Sequence, residues 1–321
     1  MSIITNTFTA YDAKGIREEL SDVIYRISPE ETPFMSNVGK GSVDNYFFEW
    51  QNDALAAAAA NAAMPGDDIT AFPAVTPTSR LGNYCQVSRK LVLVDGRVDR
   101  VKKAGRKSEL AYQLALRSAE LKRDMEVVLT SNQPGLAGAN PNTPPTTAGI
   151  EAFLRSNVSR GATGANGTLS GGSSGFPNAG ATDGTQRAFT ETLLKGVLQS
   201  TWNSGGKLSL LMVGGLQKQV VSGFAGIAQQ RRETGAKPAT IVAAADAYVS
   251  DFGTIQVVPN RFSRNRTALV LDPEYIEVVF LRPFQVQELA KTGDAEKRML
   301  IVDYGLKVNH EAAHGVVADL S

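Results

Sequence analysis

"VDNYFFEW" (43–50) and "NYCQVSRKLVLV" (83–94) flank "QNDALAAAAANAAMPGDDITAFPAVTPTS" (51–79). The flanks are aromatic and β-branched, and Cys85 and Val87 alternate with Gln86 and Ser88. That composition suits a pleated surface, so the flanks read as the two arms of a long hairpin. The insert is too long for an ordinary hairpin loop and has no core-facing stripe. Alanine favours helix, so its distal part could hold a helical turn, but Pro65-Gly66, Pro73 and Pro77 prevent anything long. A projection of this size packs on something outside its own domain. The fold turns on that reading, and the rest of the chain is ordered around it.

After the hairpin comes the strongest helical pattern. Over 99–131, Leu110, Leu114, Leu121, Met125 and Val128 follow at offsets of 4, 7, 4 and 3, one apolar stripe. Gly105 lies near its start, and Gly and Pro in 131–149 end it. Before the hairpin, Ile16, Leu20, Val23, Ile24 and Ile27 keep helical spacing. Ser28-Pro29-Glu30-Glu31 has the form of a capping box, and Thr32-Pro33-Phe34 turns the chain outward, with Phe34 buried. Residues 161–185 hold eight Gly, three Ser and four Thr in 25 positions, the composition of a mobile surface loop. A helix is expected at about 186–203, a buried strand in "KLSLLMVGG" (207–215) and a helix in "LQKQVVSGFA" (216–225). Strands then recur in "TIQVVP", "TALVLD", "YIEVVFL", "FQVQELA" and "RMLIVDYGLKV", with turns at Asp251-Phe252-Gly253 and Thr292-Gly293-Asp294. The class is α+β.

Composition narrows the function. The chain has 321 residues, 42% hydrophobic and 20% charged, enough to bury a sizeable core. Its 33 Lys and Arg balance 32 Asp and Glu, so it lacks the overall basic excess of a nucleic-acid binder. Cys85 is the single cysteine, so no disulfide forms within the chain. No run reaches the ~18 apolar residues of a membrane span, and the N-terminus does not read as a signal peptide.

The one motif with chemical content is His310-Glu311-Ala312-Ala313-His314, which spells H-E-x-x-H with the only two histidines. On a helix it would hold zinc and make the chain a hydrolase, with Glu311 as general base. Strand-type runs surround it and Gly315 follows directly, so a polar turn between two strands is the competing reading. No G-x-S-x-G, Walker-type or dinucleotide-binding pattern occurs. No cofactor is expected.

Charge is distributed unevenly. Residues 41–79 carry Asp44, Glu49, Asp53, Asp67 and Asp68 and no Lys or Arg. Residues 89–107 carry Arg89, Lys90, Arg97, Arg100, Lys102, Lys103, Arg106 and Lys107 against Asp95 and Asp99. An acidic hairpin and a basic helix start can attract each other between subunits, setting register and encounter rate. The alternatives are two solvated faces, or a basic patch on nucleic-acid phosphates in a DNA-binding or packaging protein. Trp50, Tyr46 and Phe47 suit hairpin or interface packing, or simply the core.

The order of parts, and the phrases "LSDVIYRISPEETPF", "EWQNDALAAAAANA", "YVSDFGTIQVVPNRF" and "LDPEYIEVVFLRPFQVQELAKTGDAEKRMLIVDYGLKVNHEAAHGVV", resemble the major capsid (major head) proteins of tailed bacteriophages with the Hong Kong 97 (HK-97)-like fold. The resemblance covers most of the chain. It implies an N-terminal arm at 1–40, an extended E-loop hairpin at 41–90 and a P-domain at 91–150 with its spine helix at about 99–131. It also implies an A-domain at 151–280 containing the Gly-rich loop, and C-terminal strands at 281–321 returning to the P-domain. In that fold the E-loop lies across a neighbouring subunit. The implied partners are further copies of the chain in hexamers and pentamers, a separate scaffolding protein, a portal and DNA held by non-specific contact, with assembly in the host cytoplasm. Some members join subunits through an E-loop lysine; none occurs from Gly41 to Arg89, so that cross-link is not expected.

Overall fold

The structure, a computed structural model, describes residues 28, 30–62, 64–66, 72, 74–103, 105–139, 142–224, 247–291 and 293–321. The helix expected before Ser28 lies outside the described residues. So do Asp67 and Asp68.

Two sheets share one core. The first has four strands. Its centre is a long hairpin of β12 (Ile276–Glu288) and β13 (Ala295–Val308), flanked by β1 (Gly39–Ser42) and β4 (Gln86–Asp95) in the order β1-β12-β13-β4. β1 runs parallel to β12; β12–β13 and β13–β4 are antiparallel. "YIEVVFL" and "FQVQELA" are therefore one strand, which passes Pro283 through two register irregularities. The boundary expected at 280 falls inside it.

The second sheet has six strands in the order β5-β14-β11-β8-β10-β9. They are β5 (Val158–Ser159), β8 (Leu210–Val213), β9 (Ala247–Ser250), β10 (Gly253–Pro259), β11 (Ala268–Leu271) and β14 (Gly315–Val317). Strand alternation gives its two faces to two cores. Leu210, Met212, Leu269, Leu271 and Val316 face the four-stranded sheet and its helix. Leu211, Val213, Val270 and Val317 face α5 (Glu191–Asn203) and α6 (Gly215–Ser222). Thus the last strand, β14, belongs to this sheet, and only β12 and β13 return to the long helix.

That helix, α3 (Glu109–Thr130), is 22 residues, about 33 Å at 1.5 Å per residue. Leu121, Met125 and Leu129 are fully buried against Phe34, against Ile150 and Phe153 of the short helix α4 (Ile150–Phe153), and against the inner face of β13; Leu110 and Leu114 are half-buried. It starts ten residues later than periodicity suggested. A separate turn of helix, α2 (Gly96–Arg100), comes first, Gly105 has φ 74°, and the Ser108 hydroxyl accepts the Ala111 N–H to cap α3. Asp99 accepts the Glu109 N–H at 2.8 Å, folding the basic segment back as a loop.

The capping box at Ser28 starts no helix. α1 (Pro33–Asn37) begins at Thr32-Pro33 instead, with Phe34 buried as expected. Two N–H groups of its first turn, which no helical carbonyl can accept, have a distant partner: the Glu126 carboxylate accepts from Phe34 and Met35.

Candidate functional site

The projecting limb is a ribbon of β2 (Phe47–Asn52) and β3 (Ser79–Tyr84), pairing Phe47 with Tyr84 and Asn52 with Ser79. The second arm is thus shorter than expected. At Cys85 the chain leaves the ribbon, and Gln86–Asp95 pairs with β13 as β4. Between the arms, the described residues of 53–78 form no helix or strand, and all are exposed.

The limb's root is fixed by packing and by a polar pin. Phe48 lies on Gly305 of β13, where a Cβ would stand 2.6 Å from the ring. Trp50 stacks on Phe48 and meets Phe153, with centroids 5.9 and 6.1 Å apart, so its ring is engaged within its own chain. Tyr46 and Phe47 pack on Tyr84. Asn83 is fully buried: its amide donates to the Thr147 hydroxyl and to the Ala148 and Leu306 carbonyls, and its Oδ1 accepts the Ala148 N–H. Cys85 is buried beside it, and burial pushes its thiol up to about 12.

Among the described residues, the limb's outer part has no such anchoring. Leu55 is 100% exposed, Val75 91%, Phe72 85% and Met64 78%. Asp44 and Asp53 are also exposed; Glu49 pairs with Arg80 across the ribbon.

A second apolar surface lies on the outer face of β4. Odd positions point away from α3, leaving Leu91 57% and Leu93 66% exposed beside Val87 and Arg89. The basic segment follows it, and its charge is less free than the sequence suggested. Lys103 pairs with Asp99 at 3.3 Å; Arg106 pairs with Glu109 and lies over the Tyr112 ring. Lys90 pairs with Asp124 at 2.6 Å. Arg97, Arg100, Lys102 and Lys107 remain exposed and carry no ion pair among the described residues. Arg97 and Arg100 line a cleft of about 640 Å³ that Asp95, Asp99, Asp294 and Glu296 also line, so the patch is mixed in sign.

The H-E-x-x-H stretch is the polar turn. Glu311–Ala313 is a single turn of 3-10 helix between β13 and β14. His314 is fully buried; its Nδ1 accepts the Asp272 N–H at 3.1 Å, and burial pushes its imidazolium pKa down to about 3. The Glu311 carboxylate accepts from the Arg155 and Ser156 N–H groups and the Ser156 hydroxyl. The residue that would act as base is spent holding a chain turn. Among the described residues no three His, Cys, Asp or Glu side chains are grouped to hold a metal ion.

Two anchors escaped the sequence reading. Glu126 is completely buried in the apolar run "MEVVLT", and Asn83 sits in a strand. A lone acid inside an apolar stripe is the signal that could have marked the first.

A profile of the family described as SU10 major capsid protein matches residues 3–321. The chain belongs to the SU10 major capsid protein family. The major capsid protein of Escherichia phage Phieco32 is 25% identical over 346 residues, covering 97% of this chain and 96% of that one. The chain from the cyanophage A-1(L) capsid asymmetric unit aligns with TM-score 0.69 at 14% identity, over 95% of this chain and 97% of that one. The holo-SrpI encapsulin complex of Synechococcus elongatus PCC 7942 aligns at 0.52 with 11% identity, over 93% and 92%. The fold is therefore HK-97-like, as the resemblance implied. As a member of this family the chain is a phage major capsid protein, a structural component of the virion that associates with itself into a shell.

Proposed function

We propose that this capsid protein closes hexamers and pentamers of an icosahedral shell around double-stranded DNA by laying the limb at 53–78 over a neighbouring subunit. The seat is the outer face of β4 with the basic segment beside it. The observation that carries this is the limb itself, where the four large apolar side chains among the described residues are 78–100% exposed. Burying such a side chain is worth about 1.5–3 kcal/mol, so the four offer roughly 6–12 kcal/mol before the costs of association. Arg97, Arg100, Lys102 and Lys107 would orient the acidic limb, each exposed pair worth only ~0–1 kcal/mol. Such a contact joins two different surfaces and closes into rings when repeated by rotation.

The shell is that of a tailed phage or prophage. It assembles in the host cytoplasm with a separate scaffolding protein and a portal. With a net charge of +1, DNA is held by non-specific contact only. Electron microscopy of the purified protein, alone and with its scaffold, tests this. Closed particles with hexameric and pentameric capsomers are expected. Monodisperse subunits under every condition, or stoichiometric zinc lost with His310→Ala, would contradict it.

A further inference from the structure

The Gly-rich segment 161–185 is not a free surface loop. It forms a short ribbon of β6 (Thr168–Leu169) and β7 (Pro177–Ala179), and both its feet are tied down. At one foot Asn132, just past α3, exchanges two hydrogen bonds with Ala181 at 2.6 and 2.8 Å. At the other, the Asp319 carboxylate accepts the Gly161 and Gly184 N–H groups at 2.9 and 2.7 Å. Several of its glycines stand where a Cβ would enter backbone, as at Gly161, 2.1 Å from the Thr185 carbonyl oxygen, and Gly180, 2.4 Å from that of Asn132.

The tip of this ribbon meets the limb. Gly175 donates its N–H to the Arg80 carbonyl at 2.7 Å, and its own carbonyl accepts the Gly82 N–H at 3.0 Å. The limb's two strands thereby gain a one-residue third strand at Leu81. Next in sequence, the Phe176 ring sits edge-on to Tyr84 and Phe47, centroids 4.9 and 6.2 Å away. Those two residues face each other at the limb's base. Gly175 has φ 86°, and a Cβ there would meet the Ser170 hydroxyl at 2.2 Å, so this tip accepts no other residue without moving.

We infer that the ribbon is a bracket, with Gly175 and Phe176 as positioning residues that set the direction in which the limb leaves the body. A subunit then presents its limb already aimed, and less ordering is left to the moment of association. The two-stranded part of the limb is six residues long, roughly 20 Å at about 3.3 Å per residue, so a tilt of about 10° at its root moves its outer end by roughly 3.5 Å. This rests on the proposed seating of the limb on a neighbour.

Two variants test it, Phe176→Ala and Gly175→Ala, each read in three ways. Hydrogen exchange of unassembled subunits should rise about tenfold or more in the peptide containing Arg80–Gly82, with the α3 peptides unchanged. Thermal midpoints should stay within a few degrees of the parent, and Phe176→Leu should restore part of the protection. Assembly should give a broader distribution of particle diameters or a lower yield. Unchanged exchange at Arg80–Gly82 in both variants overturns the bracket. So does raised exchange with particles that match the parent. If the parent itself forms no particles, the seating of the limb fails, while the exchange measurement still decides whether the ribbon holds the root.

Discussion

Replacing Glu126 with alanine should loosen the joint where three parts of the subunit meet. The side chain is fully buried near the C-terminal end of α3. Its Oε1 accepts the Phe34 N–H at 2.6 Å and the Asn260 amide at 2.7 Å; its Oε2 accepts the Met35 N–H at 3.0 Å. One carboxylate thus ties together α1, the long helix and the segment following β10. Glu126→Ala strands three donors, and a buried donor without a partner costs about 1–3 kcal/mol. Removing a buried charge gives some of this back, and water entering the gap gives back more. The expected net loss is about 3 kcal/mol, or roughly 5–10 °C in the thermal midpoint of unassembled subunits.

The pH dependence sharpens the test. Burial raises the Glu126 pKa, only partly opposed by the Met35 and Phe34 N–H groups and the Asn260 amide. A carboxyl whose folded pKa lies above its unfolded value binds protons preferentially when folded. Its contribution to stability is complete below the unfolded pKa and is lost as pH rises through the folded one. The stability difference between the parent and Glu126→Gln should therefore move in the parent's favour as pH falls from 7 toward 5. A midpoint change under about 2 °C for Glu126→Ala, or a parent-to-Gln difference that ignores pH, would refute the reasoning.

Three further outcomes follow from the geometry. Leu55→Ser, Met64→Ser and Phe72→Ser combined should leave subunit stability within about 1 kcal/mol, because these side chains touch little of their own chain, yet sharply reduce particle yield in sedimentation. His314→Ala should cost about 2–4 kcal/mol by opening a cavity and stranding the Asp272 N–H. Because burial holds the His314 pKa down to about 3, its contribution is present above the unfolded value near 6.5 and lost as pH falls toward 3, so the parent should lose stability there relative to His314→Ala in urea titrations. Cys85, buried and with its thiol pushed up to about 12, should resist a disulfide reagent in the native subunit and react on unfolding.

Much of this architecture was legible because it is written in local periodicity. The stripe at Leu121 and Met125 marked the long helix, and the C-terminal strands were marked by β-branched runs. What was missed depends on distant partners. Periodicity carried the helix back to residue 99, but Gly105 at φ 74° and the Ser108 cap end it at Glu109. The pairing of Gln86–Asp95 with β13 rather than with the first arm is settled by Ala295–Tyr304, far downstream. Glycine content alone suggested a mobile loop at 161–185; Asn132 and Asp319 hold it in place. The basic segment was visible as charge, but Asp99 and Glu109 engage two of its members.

The claim at the centre is that the 53–78 limb rests on a sister subunit beside its basic segment. Particles assembled from an equal mixture of nitrogen-14 and nitrogen-15 subunits and treated with a zero-length carbodiimide reagent test it directly. The account predicts isotope-mixed peptides joining Asp53, Asp67 or Asp68 to Lys102 or Lys107. Peptides in which limb acids are joined to those lysines only within a single isotope, or limb acids that never couple in intact particles, would contradict it.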